Sequence, residues 1–182
     1  ADNSFEHGPI ECLFTVDEEV GLLGAHVLKS DWIKSTMLVN LDSEDQGEFC
    51  IGCAGGVNTV AKYRQNLQKP DKDYLFMTIK VSGLIGGHSG VDIDKKRGNA
   101  IKILAELINR ISAEGDVVIA SIDGGNLHNA IPREASATIG VEFKIKETAR
   151  VITNMYIAEK QNELIGETLE IDLVLAELPA ET

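Results

Sequence analysis

The sequence predicts an α/β protein in two parts. Residues 1–56 are expected to be a fragment of a parallel-sheet domain, and residues 57–182 a small α+β domain with the order β-α-β-β-α-β. Three observations support this prediction. Two short apolar runs in the first part each end at acidic residues, strict alternation marks strands in the second part, and an apolar stripe marks a helix there.

In the first part, residues 10–15 and 37–41 are apolar runs that predict two buried strands. Between them, residues 19–28 predict a short helix that Gly21 and Gly24 weaken. A strand, a helix and a second strand are typical of a parallel α/β layer. In such layers, ligands bind beyond the carboxyl ends of the strands.

The second part begins with residues 75–82, where apolar and polar side chains alternate as in a half-buried strand. A helix is predicted over residues 99–111, and its expected buried stripe consists of Ala100, Ile101, Leu104, Leu107, Ile108 and Ile111. Strands over 117–122 and 135–145, a helix over 148–164 and a strand over 168–175 complete the order. This order predicts a ferredoxin-like domain, with an antiparallel sheet and helices on one face.

The amino-acid composition disfavours two kinds of partner and indicates a cellular location. The 17 basic and 29 acidic residues give a net charge of −12, which disfavours nucleic acid as a partner because phosphate contacts require Lys and Arg. No run approaches the ~20 apolar residues that a membrane helix needs, so a membrane is not expected as a partner either. Three cysteines are few and odd in number, which suits reduced thiols and a cytoplasmic location.

Acidic residues follow both predicted strands of the first part. Glu18 and Glu19 follow the first strand, and Asp42 follows the second. If the strands are neighbours, these carboxylates converge and need a cation to offset their repulsion. One glutamate could then bind a metal while the other accepts a proton from water. The alternative is that both groups are solvated loop acids in an acidic protein.

Two loops of the second part carry further candidates. His88 lies among glycines in Gly86-Gly87-His88-Ser89-Gly90, where it could polarise a carbonyl or stabilise an anionic intermediate. Asn129 lies in the segment 124–133, whose asparagines could donate to a substrate oxygen. The alternatives are a loop histidine without a role and ordinary hairpin-turn residues.

Six segments follow one another along the chain: Pro9-Ile10-Glu11, Thr15-x-x-Glu18-Glu19-x-Gly21, Asp42-Ser43-Glu44, Gly52-Cys53-Ala54-Gly55-Gly56, Gly86-Gly87-His88-Ser89-Gly90 and Asn129-Ala130-Ile131-Pro132-Arg133-Glu134-Ala135. In this order they resemble the dinuclear zinc peptidases that include carboxypeptidase G and succinyl-diaminopimelate desuccinylase, and most of all the aminoacyl-histidine (Xaa-His, or cytosol non-specific) dipeptidases. Together they cover residues 9 to about 145.

The resemblance implies a zinc metallodipeptidase that cleaves dipeptides of the Xaa-His type with metal-activated water. Residues 1–56 would belong to its catalytic domain and 57–182 to its lid or dimerisation domain. Glu18 would be the general base, Glu19 and Asp42 would each bind one of two zinc ions, His88 would meet the substrate carbonyl or carboxylate, and Asn129 would hold the substrate. A small peptide substrate and a homodimer are the implied partners.

The chain also departs from the family pattern. The H-x-D motif and the bridging aspartate are expected before residue 1, and the last histidine ligand after Thr182. We therefore expect this chain to be an internal piece that is inactive alone and does not hold the zinc pair. Two alternatives stay open: another amidohydrolase of the same superfamily, such as a deacylase or desuccinylase, and a non-catalytic dimerisation or binding module.

Overall fold

The computed structural model describes residues 4, 6–42, 46–52, 57, 59–64, 69 and 73–176. The chain divides into two compact units, Ala1–Tyr63 and Arg64–Thr182. None of the helices among the described residues has both the length and the apolar character that a membrane crossing requires.

The first unit corrects the sequence prediction. Its regular structure among the described residues is one short helix, α1 (Leu23–His26), in place of the helix predicted over 19–28. Residues 10–15 and 37–41 form no strands, so the predicted parallel layer is not observed. Phe14 and Leu38 are 90% and 84% exposed. Parallel strands gain stability only with hydrogen-bonded neighbours and cover on both faces, and the described residues of this unit supply neither.

The second unit is built on a four-stranded antiparallel sheet, which consists of β1 (Leu75–Ser82), β3 (Val117–Gly124), β5 (Ala135–Val141) and β6 (Glu170–Leu175). The strands lie across the sheet in the order β3-β5-β1-β6. The helices are α2 (Ala100–Ser112) and α3 (Lys146–Glu163), and a separate two-residue pair joins β2 (Gly87–His88) to β4 (Ala130–Ile131). The long elements therefore follow the β-α-β-β-α-β order that the alternation and the helical stripe predict.

The core lies between the sheet and the two helices. Alternate residues of the central strands are fully buried, among them Met77 and Ile79 on β1 and Ile139 on β5. The buried face of α2 consists of Ala100, Ile103, Leu104, Leu107, Ile108 and Ile111. Ile101, which the stripe predicts to be buried, is 39% exposed, and Ile103 takes its place in the core. Burial of these side chains supplies most of the stability of the unit.

One strand is shorter than the sequence predicts. The strand predicted over 135–145 ends at Val141, because Phe143–Ile145 forms a 3₁₀ helix that leads into α3.

Helix α2 begins at Ala100 and is capped by Asn99, whose side chain accepts a hydrogen bond from the backbone N–H of Lys102. An asparagine at this position satisfies one of the free donors of the first turn.

The register of β3 and β5 provides a matched pair of isoleucines. Ile119 on β3 faces Ile139 on β5, but Ile139 is 0% exposed and Ile119 is 50% exposed. We expect Ile139→Ala to lower the free energy of unfolding by about 2–5 kcal/mol, because it leaves a cavity in the core. Ile119→Ala should cost less than about 1.5 kcal/mol. Urea unfolding followed by far-ultraviolet circular dichroism measures both, and equal losses would contradict this account of the core.

The two units should also differ in backbone protection. No described residue of the first unit is buried, whereas both β1 and β5 pair on two sides. We expect the amides of residues 6–42 to exchange with solvent at least ~100-fold faster than those of β1 and β5. Hydrogen exchange followed by mass spectrometry measures this difference, and uniform protection along the chain would refute it.

Candidate functional site

The pairing of β2 with β4 places His88 next to Asn129. His88 lies opposite Ala130 in the two-residue pair, and the backbone N–H of Ser89 donates to the carbonyl of Asn129 at 2.8 Å. Both residues were candidates on sequence grounds, although they lie on different loops. The structure therefore brings together the histidine and the asparagine of the second unit.

The imidazole of His88 is held by its own loop. Its Nδ1 accepts hydrogen bonds from the backbone N–H groups of Gly90, at 3.1 Å, and Val91, at 3.2 Å. A backbone N–H can only donate, so Nδ1 must carry a lone pair, and the hydrogen of the neutral ring lies on Nε2. The ring is exposed and presents this N–H as a donor. Such a donor can polarise a carbonyl or stabilise an oxyanion.

Asp92 fixes the backbone of the same loop. Its Oδ2 accepts from the N–H of His88 at 2.8 Å and from Arg97 Nη1 at 3.2 Å, while Oδ1 accepts from Lys95 Nζ at 2.6 Å. The bond from Lys95, then that from His88 and the charge of Arg97, hold the pKa of the Asp92 carboxyl below its ordinary value. The carboxylate thus stays ionised at neutral pH and keeps its hydrogen bonds to the loop.

Gly87 permits this close arrangement. Its φ angle is 147°, and a Cβ at this position would lie 2.2 Å from Arg97 Nη1 and 2.5 Å from Asp92 Oδ2. Any other residue would force the charged pair apart. No motif in the sequence indicates Asp92 or Arg97 as part of the site, and the local signal for them is the mixed-charge run that begins four residues after His88.

A cleft of about 480 Å³ lies beside this loop within the second unit. Its lining includes Gly87 of β2, both residues of β4 and Asn126, together with the charged residues Lys80, Arg133, Asp123 and Glu134. Its walls therefore offer charges of both signs to a small polar ligand. A cleft with these properties suits a small zwitterionic molecule better than an apolar one.

The acidic candidates of the first unit are exposed, and only Glu18 and Glu19 among them lie in a bend or turn. The carbonyl of Glu18 accepts from the N–H groups of Gly21 and Leu22, at 3.1 and 3.0 Å, in the turn that leads to α1. The N–H of Asp42 donates to Oδ1 of Asn40 at 3.0 Å. Glu18, Glu19 and Asp42 are all exposed. Ser43 and Glu44 of the second acidic segment, and Cys53 to Gly56, lie outside the described residues.

The described part of the chain contains no group of three or more His, Cys, Asp or Glu side chains that could hold a metal ion. The predicted convergence of Glu18 or Glu19 with Asp42 is therefore not observed as a metal centre. The donors are chemically suitable, since carboxylate oxygens bind zinc, but a zinc site requires at least three protein ligands. These residues do not complete a zinc site by themselves.

Glu11 plays a structural part that the sequence did not reveal. Its carboxylate accepts from the N–H groups of Lys34, at 3.0 Å, and Ser35, at 2.7 Å, and also from the Ser35 hydroxyl. The Ser35 hydroxyl and N–H hold the pKa of Glu11 below its ordinary value. Glu11 thus connects the apolar run over residues 10–15 to residues 34–35.

Parts of this chain are similar to known proteins. Residues 79–166 match the family described as a peptidase dimerisation domain. Over 175 residues, or 96% of this chain, the sequence is 36% identical to the cytosol non-specific dipeptidase of Escherichia coli (strain K12), of which it covers 36%. The crystal structure of aminoacylhistidine dipeptidase from Vibrio alginolyticus is similar over 100% of this chain and 37% of that chain, with a TM-score of 0.65 and 31% identity.

The chain thus spans little more than a third of the length of these two relatives. The resemblance that the six segments indicate is confirmed by both of them, and each is named as a dipeptidase. The chain is therefore a homologue of the cytosol non-specific and aminoacylhistidine dipeptidases, and its residues 79–166 match the family described as a peptidase dimerisation domain.

Proposed function

We propose that the protein to which this chain belongs hydrolyses dipeptides, including those of the Xaa-His type. The observation that carries the proposal is the fixed imidazole of His88 beside Asn129, since a preorganised N–H donor is what acyl transfer needs near the substrate carbonyl. The names of the two relatives, a non-specific dipeptidase and an aminoacylhistidine dipeptidase, support the substrate class.

The second unit would act as a lid over the substrate. His88 Nε2–H donates to the carbonyl oxygen as negative charge develops there, and Asn129 holds the substrate backbone. Because Asp92 and two backbone N–H groups already orient the ring and its loop, little reorganisation is needed when the substrate arrives. The charged side chains of the adjacent cleft can contact the termini of a dipeptide.

The first unit would contribute to the hydrolytic centre. Glu18 would accept a proton from the attacking water, while Glu19 and Asp42 would each supply a carboxylate to one of two zinc ions whose other ligands are not among the described residues. Zinc, when bound, lowers the pKa of a coordinated water to about 7. We propose that this chain alone is inactive, because its described acids do not complete a metal site.

Substitutions in the whole protein test these roles. We expect Glu18→Ala, Asp42→Ala and His88→Ala each to lower kcat on an Xaa-His dipeptide by ~100-fold or more, because each removes a group that acts on the reacting atoms. Asp31→Ala, which changes an exposed acid of the same unit without an assigned role, should keep the rate within about twofold. A full rate in the Glu18 and Asp42 variants would rule out the proposed centre.

A substrate panel separates the dipeptidase from the deacylase alternative. We expect hydrolysis of Xaa-His and other unblocked dipeptides, with N-acyl amino acids at least ~100-fold slower in kcat/KM. Such selectivity arises when a charged amino terminus is paired in the transition state, because an acylated amine leaves its partner unpaired. The reverse preference would favour the deacylase.

We also propose a homodimer and a cytoplasmic location. The dimerisation domain at residues 79–166 supports the first, and the edge strand β3 exposes half of Ile119 and Ile122. An edge strand with exposed apolar side chains is a surface that can pair with another copy. The cytosolic name of the relative supports the location. Sedimentation velocity should give a dimer mass at micromolar concentration, and a monomer mass would contradict the homodimer.

A further inference from the structure

We propose that Glu167 is a positioning residue that closes the loop carrying His88 and so sets the place of the imidazole. The part of the proposal that concerns catalysis rests on the function proposed above for His88. Glu167 lies in the turn between α3 and β6, and the loop in question, residues 83–99, joins β1 to α2.

The carboxylate of Glu167 joins the two ends of this loop. Oε2 accepts from the backbone N–H of Ile85 at 3.0 Å, and Oε1 accepts from the N–H of Gly98 at 2.8 Å. Each oxygen thus holds one end of the loop. Compact loops of this length keep their shape only when their ends stay close together.

Glu167 is 7% exposed, which is unusual for a glutamate. A buried carboxylate is costly unless its oxygens accept good hydrogen bonds, and the two backbone N–H groups supply them. Leu84 and Leu164, both buried, belong to the same hydrophobic core and lie next to Gly98. The hydrogen bonds from Ile85 and Gly98 to Glu167 are therefore a buried contact and not a surface one, and we call them the clasp.

The turn that holds Glu167 is itself fixed. Gln161 Nε2 donates to the carbonyl of Glu167 at 2.6 Å, and Gln161 Oε1 accepts from the N–H of Leu169 at 2.9 Å. The start of the loop also crosses this turn closely, since a Cβ on Gly83, at φ 81°, would lie 2.1 Å from the carbonyl oxygen of Thr168. Helix α3 and β6 thus provide a rigid base for the clasp.

A chain of contacts leads from the clasp to the imidazole. Arg97, next to Gly98, donates to the carbonyl of Gly86, which follows Ile85. The same guanidinium donates to Asp92 Oδ2, and that oxygen accepts from the N–H of His88 at 2.8 Å. Displacement of either end of the loop therefore moves Arg97 or Gly86, and with them Asp92 and His88.

The first test measures the loop itself in the full chain, by amide hydrogen exchange of the wild type, Glu167→Gln and Glu163→Gln. The glutamine side chain keeps one acceptor oxygen, but its NH₂ group faces the backbone N–H of either Ile85 or Gly98. Two donors cannot form a hydrogen bond with each other, so one of the two hydrogen bonds is lost. We expect Glu167→Gln to speed exchange at Ile85 or Gly98, and at Gly90 and Val91, by roughly tenfold or more, with the β5 amides unchanged. Glu163→Gln, which removes only an exposed partner of Lys160, should leave all of them unchanged.

Unchanged exchange in the loop would overturn the proposal, and so would an equal acceleration in β5, since that would mean a general loss of stability. Because Glu167→Gln is nearly isosteric, the comparison does not depend on the more disruptive Glu167→Ala. The outcome depends on the fold alone and does not require the protein to be a dipeptidase.

The second test measures rates in the whole protein. We expect Glu167→Gln to lower kcat by about tenfold while KM stays within about threefold, because a displaced donor weakens contacts made in the transition state. If His88→Ala lowers kcat but Glu167→Gln loosens the loop without changing kcat, the positioning role is wrong. If His88→Ala leaves the rate intact, the proposed function fails, whatever the exchange data show.

Discussion

The backbone N–H groups of Gly90 and Val91 donate hydrogen bonds to Nδ1 of His88, and the proposed role of this histidine depends on that interaction. It decides which nitrogen of the ring carries the hydrogen, and so makes Nε2 a donor. Asp92 supports the same loop through the backbone of His88. A loop histidine of unspecified role thereby becomes a group with a defined chemical capacity, which is to stabilise negative charge on a substrate oxygen.

The sheet explains why this histidine and Asn129 meet. Val81, near the end of β1, pairs with Ala135, at the start of β5, so the loop that leaves β1 and the loop that enters β5 emerge at the same end of the sheet. The short pair of β2 with β4 then joins the two loops. The apolar core under the sheet, including Met77 and Ile139, thus fixes the position of polar groups that take no part in the core themselves.

The sequence predicts the second unit well and the first unit poorly, for a physical reason. Alternation and helical stripes predict burial of one face, and the second unit contains the partners that bury it. The strand predicted over 75–82 is therefore observed, and the strand predicted over 135–145 and the helix predicted over 99–111 are observed as Ala135–Val141 and Ala100–Ser112. The apolar runs over 10–15 and 37–41 predict buried strands, but the described residues of the first unit do not bury them. Local patterns thus predict elements only where their partners lie within the same unit.

The site was predicted in part. Motifs singled out His88 and Asn129 because glycines and asparagines mark unusual loops, but no local pattern could indicate Glu167, whose two contacts span 82 and 69 residues. Likewise, Asp92 resembled an ordinary surface acid in an acidic protein. The resemblance to dipeptidases named the residue types at the centre, and the structure added the groups that hold one of them in place.

Measuring which ring nitrogen of His88 carries the hydrogen tests the central claim most directly. Long-range ¹H–¹⁵N correlation spectra of the histidine-labelled chain at neutral pH distinguish the two neutral tautomers, and His88→Asn assigns the signal. The hydrogen bonds to Nδ1 require the Nε2–H tautomer. A ring that carries its hydrogen on Nδ1, or that exchanges freely between the two forms, would contradict the account.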